Sequence, residues 1–84
     1  MKHAGAAALN RLEELLDAVR ALGVLREKSR GVLYFRSKAF LHFHEDPAGL
    51  FADVRAAAGT EFHRIKVDEP PGQAALLRRL AEPG

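Results

Sequence analysis

Residues 31–55, GVLYFRSKAFLHFHEDPAGLFADVR, decide how this chain folds. They hold four of the five phenylalanines, the one tyrosine and two of the four histidines. Aromatic and branched residues of this kind suit a pleated surface. In their midst, Asp46-Pro47-Ala48-Gly49 places Asp, Pro and Gly where a type I turn uses them. The stretch reads as strands at 32–37, 39–45 and 50–55, with a shorter turn at Ser37-Lys38.

Working outward, FHRIKV at 62–67 alternates and reads as a fourth strand, reached through the small-residue connection AAAGT at 56–60. Asp68-Glu69-Pro70-Pro71-Gly72 stops it, because proline supplies no ladder donor. Residues 73–81 then read as a short helix on Leu76, Leu77 and Leu80, with Pro83 near the end. On the other side, LREKSR at 25–30 reads as a solvated turn. Before it, Leu9, Leu12, Leu15, Leu16, Val19 and Leu22 recur at helical spacing, and the preceding alanines extend that helix toward Ala6. Gly23 sits where a left-handed residue closes a helix, with Val24 as its apolar cap contact.

The expected fold is therefore α+β in the order αββββα. A four-stranded antiparallel meander carries an N-terminal and a short C-terminal helix in two layers. Its 84 residues form one domain near the small end of what folds alone. Hydrophobic residues at 48% and charged residues at 29% describe a globular chain. Absence of cysteine excludes disulfides and thiolate metal sites. No apolar run is long enough to cross a membrane. Met1-Lys2-His3-Ala4-Gly5 has no apolar segment behind it, so a cytoplasmic protein is expected. The net charge of +2 selects no partner.

Alternation decides which side chains meet. Pairing Leu41 with Val54 and Phe43 with Ala52 gathers Val32, Tyr34, Leu41, Phe43, Leu50, Ala52, Val54, Ile65 and Val67 under the helices, with His63 among them. The other face collects Leu33, Phe35, Phe40, His42, His44, Phe51, Asp53, Arg55, Phe62, Arg64 and Lys66. A type I turn with a glycine bulge would shift this hairpin by one residue. The burial pattern favours the unshifted register.

Three function classes follow. An apolar second face built on Phe35, Phe40, Phe51 and Phe62 marks an association surface, which predicts a homodimer or partner-binding module without enzymatic activity. His42 and His44, two apart on a strand, project together, and Asp53 across from His42 supplies a third ligand or an orienting group. That set predicts zinc or another divalent transition metal. Arg55, Arg64 and Lys66 beside phenylalanines describe a nucleic-acid surface. Catalytic signatures are weaker. Acid–base pairs such as His42 with Asp53, or Glu45 with Asp46, come with no readable pocket, and Ser29 and Ser37 sit in polar turns. The glycines are scattered, which excludes a phosphate-cradling loop.

The run KAFLHFHEDPAGLFADVR, with Lys38, His42, His44, Asp53 and Arg55, resembles short bacterial α+β proteins of no assigned function. A leading helix, a strand, and a basic turn into an apolar strand at Arg36-Ser37-Lys38-Ala39-Phe40 are also similar to MmcQ/YjbR-type domains. That likeness covers about half of the chain, which lacks the longer C-terminal portion of those domains. It implies an α+β domain with nucleic-acid or partner binding.

Overall fold

The computed structural model describes residues 2–56 and 60–81, so most of the connection at 56–60 and the closing Pro83 lie outside the described residues. The fold is α+β, with one antiparallel sheet and helices toward both ends of the chain. We number the elements β1 (Lys2–His3), α1 (Ala6–Arg11), α2 (Glu13–Leu22), β2 (Arg26–Ser29), β3 (Val32–Phe35), β4 (Lys38–Asp46), β5 (Gly49–Arg55), β6 (Phe62–Lys66) and α3 (Pro70–Leu80). The sheet runs β2-β3-β4-β5-β6, and β1 pairs with the far end of β4. It has six strands among the described residues, not the four expected.

The amphipathic stripe forms two helical segments, broken where Leu12 leaves helical geometry at φ −102° and ψ 11°. The stripe stays in register across the break. Leu9, Leu12, Leu15, Leu16 and Val19 are all buried, each Leu contributing about 1.5–3 kcal/mol of transfer free energy. Gly23 ends α2 in the left-handed region at φ 69°, its N–H donating to the Arg20 carbonyl. Val24 stays exposed and makes no buried cap contact. Helix α3 starts earlier than expected, because Pro70 and Pro71 occupy its first turn, where the missing N–H groups have no helical acceptor anyway.

The central hairpin pairs Leu41 with Val54 and Phe43 with Ala52, the register that burial favours. Pro47 and Ala48 form a two-residue loop between the paired Asp46 and Gly49, and the Ala48 N–H donates to Asp46 Oδ2 at 3.0 Å. No one-residue shift occurs. Leu41, Phe43, Leu50, Ala52 and Val54 thus share one face and merge with the helix stripes into a single apolar core.

Strand β3 departs from expectation. The turn falls at Arg36-Ser37 rather than Ser37-Lys38, with Phe35 opposite Lys38 and Arg36 at φ 59°. Leu33 pairs with Leu41 and Tyr34 with Ala39, which leaves Phe40 as an extra residue on β4. Leu33, Phe35 and Phe40 consequently turn toward the helices, and Val32 and Tyr34 turn away. Phe40 is buried, with Phe35 packed at 5.6 Å and the Arg79 guanidinium over its ring at 5.5 Å.

Strand β2 replaces the solvated turn expected at 25–30. Its inward residue, Glu27, explains why charged sequence folds as a strand here. The carboxylate accepts from Arg20 Nε at 2.7 Å, from a second Arg20 nitrogen at 3.0 Å and from the Gly31 N–H at 3.0 Å. The Arg20 side chain thereby ties β2 to α2 and holds the Glu27 carboxyl below its ordinary value of 4.5. Stability from such a group is fully present above the unfolded-state value and is lost as pH falls through the lower folded value. Glu27→Gln should cost about 1 kcal/mol near neutrality, after allowing for solvent screening. It should also flatten the acid limb of a stability–pH curve below about pH 4.5. Urea denaturation across pH 3–7 checks both, and identical curves for the two proteins would contradict the assignment.

Candidate functional site on the outer sheet face

The face turned away from the helices is built by alternate residues of all six strands. One row across it is His3, His44, Phe51 and Lys66, and the next is Val32, His42, Asp53 and Arg64. A third contains Arg26, Tyr34, Ala39, Arg55 and Phe62. Lys28 joins it, its Nζ lying 4.8 Å from the Tyr34 ring centre. Of the residues expected on an aromatic face, Phe51 and Phe62 are here, while Phe35 and Phe40 belong to the helix side. His42, His44, Asp53, Arg55, Arg64 and Lys66 are brought together as neighbours.

Asp53 is the electrostatic centre. Arg64 donates to both of its oxygens, at 2.8 and 3.0 Å, and His44 Nε2 lies 3.2 Å from Oδ2. Arg64 is the largest influence holding the Asp53 carboxyl below its ordinary value. His44 and Asp53 are largely shielded, with side chains 14% and 13% exposed. The second nitrogen of His44, Nδ1, is buried and has no hydrogen-bond partner among the described residues.

His3 went unnoticed in the sequence, where two residues carry no periodicity and only the histidine itself was a signal. Paired opposite His44, its ring lies 4.8 Å from His44 and 5.8 Å from His42, and the latter two are 6.2 Å apart. The His42 ring also packs on Phe62 at 5.2 Å. Burial is the main cause holding His42 below the usual histidine value of 6.5. His3, His44 and Arg55 add to that effect against the opposing pull of Asp53. A folded-state value below the unfolded one means stability present above pH 6.5 and lost as pH falls toward the folded value. Native protein should therefore begin to lose stability below about pH 6.5, and His42→Gln should remove that slope. Denaturation midpoints at pH 7.5 and 5.5 test this, and parallel losses in both proteins would contradict it.

The cations pack on the aromatic rings. The Arg55 guanidinium lies 4.8 Å from the Phe62 ring centre while its Nε donates to the Ala39 carbonyl at 2.7 Å. Arg26, Lys28, Arg55 and Lys66 have no carboxylate partner among the described residues. No helix of the described residues is long and apolar enough to cross a membrane. Comparison with protein-family models, curated proteins and solved structures gives no match to this chain.

Proposed function

We propose that the outer sheet face binds an anionic polymer, single-stranded nucleic acid, and that the protein is a binding module rather than an enzyme. One observation carries this reading: the segregation of charge across the sheet. Outward-facing strand positions carry Arg26, Lys28, Arg55, Arg64 and Lys66 against Asp53 in the middle and Asp46 at the turn end. Asp53 is already neutralised by Arg64, and Asp46 is turned onto the Ala48 N–H. Lysine and arginine laid over Tyr34 and Phe62 supply paired sites for phosphate and base stacking. The same charge favours a phosphate backbone over a second copy of the chain. Two such faces placed together oppose like charges, and Phe40, the residue that would make the face more apolar, is spent in the core.

Fluorescence anisotropy with a labelled single-stranded oligonucleotide at low salt tests the reading. The paired substitution Arg26→Glu and Lys66→Glu should weaken binding at least tenfold, because it reverses two exposed charges without touching the core. Glu14→Lys, on α2, should leave binding unchanged. No binding by the native protein sinks the proposal. So does a stable dimer in light scattering that Phe51→Lys dissociates, since the face would then belong to self-association.

A further inference from the structure

Three of the four histidines meet on this face, His3 from β1 and His42 and His44 from β4. We propose that His3, His42 and His44 form a binding site for a divalent transition metal, zinc by ligand type, with Asp53 orienting His44 rather than touching the ion. The site is independent of the nucleic-acid reading and stands on different observations.

The first is spacing. Three imidazoles bound to one ion through nitrogens at about 2 Å have ring centres about 5 Å apart. Here the separations are 4.8, 5.8 and 6.2 Å. Among the described residues the donor atoms do not yet converge on one point. Drawing the rings in by about an ångström brings them to the bound spacing. His3, exposed and carried on a two-residue strand, can close its own gap to His42, whereas the 6.2 Å between His42 and His44 closes only by movement of one of those two rings.

The second is the state of His44. A metal-bound histidine gives one nitrogen to the ion and directs its other N–H at a carboxylate, which fixes the tautomer and the ring. His44 meets Asp53 through Nε2 and keeps Nδ1 buried without a partner among the described residues. An unpaired buried acceptor costs free energy, and a coordinated ion removes that cost. Asp53 fits the orienting role better than that of third ligand, because both its oxygens are occupied by Arg64. The charge of Arg64 is likewise compensated there.

Zinc titration by isothermal calorimetry, with cobalt titration by visible absorption, tests the site on the intact chain. One ion should bind per chain, and zinc should raise the thermal midpoint. His3→Ala, His42→Ala and His44→Ala should each weaken zinc at least a hundredfold. Asp53→Asn should weaken it about tenfold, as loss of an orienting group does. His63→Ala, on the other phase of β6, should bind as the native protein does. His3 is exposed and outside the core, so its variant stays folded and circular dichroism verifies this. Zinc affinity unchanged by His3→Ala overturns the triad, and so does native protein that binds no zinc.

Discussion

Gly72→Ala should destabilise the protein by about 3 kcal/mol, although alanine is the better helix former. Gly72 lies in the first turn of α3, where exchange for alanine ordinarily gains about 1 kcal/mol. A Cβ built there would collide with the Lys66 carbonyl oxygen and lie 2.9 Å from its carbon. Both atoms are backbone of β6, so no side-chain rotation relieves the clash. Either the strand end or the helix must move, and α3 buries Leu76 and Leu80 from that position. The Gln73 side chain, which donates to the Val67 carbonyl at 2.9 Å, is displaced with it. Urea denaturation of the two proteins measures the effect. An alanine variant as stable as the native chain would mean that α3 does not dock as described.

Phe43→Ala has an effect of similar or greater size. Phe43 is 1% exposed, sits opposite Ala52 at the centre of the longest strand and is the largest fully buried side chain. Truncating a buried phenylalanine costs about 3–5 kcal/mol through lost transfer free energy and the cavity left behind. A domain of this size has a total stability of about 5–10 kcal/mol. The thermal midpoint should therefore fall by more than about 10 °C. Phe51→Ala, on the next strand but the opposite face, should lose much less, since its ring is only half-buried. Equal losses from the two substitutions would contradict the assignment of faces.

These two positions also show where sequence was informative. The hairpin around Asp46 was legible because alternation from Leu41 to Val54 outweighs the shifted register that the turn chemistry also allows, and a slip by one residue would expose Phe43. The stripe of α1 and α2 was legible as far as Val19, where period and burial coincide, while Leu22 at its end is exposed. Strand β2 was hidden because its inward position is Glu27, and its partners, Arg20 and the Gly31 N–H, become neighbours only after folding. The phase of β3 turned on where a two-residue turn falls. Arg36 at positive φ announces nothing in sequence, since glycine or asparagine is the usual signal. The extra residue at Phe40 then moved two phenylalanines from the outer face to the core edge.

The candidate site divides in the same way. His42, His44 and Asp53 were legible as neighbours because strand alternation and one register bring them together. The Arg64 clamp on Asp53 and the arrival of His3 depend on pairings with β6 and β1. Charge segregation was legible for Arg55, Arg64 and Lys66 but hidden for Arg26 and Lys28, which reach the face on β2. A net charge of +2 is mild, yet the outward strand positions alone carry Arg26, Lys28, Arg55, Arg64 and Lys66 against Asp46 and Asp53. Composition averages what the fold separates.

The most direct test of a polyanion-binding sheet face is the salt dependence of single-strand affinity. Four uncompensated cations, Arg26, Lys28, Arg55 and Lys66, predict a slope of about −3 for log affinity against log salt concentration. Reversing Arg26 and Lys66 should bring that slope toward about −1 or flatter. Affinity that does not change with salt, or a slope that survives the reversal, would contradict the account.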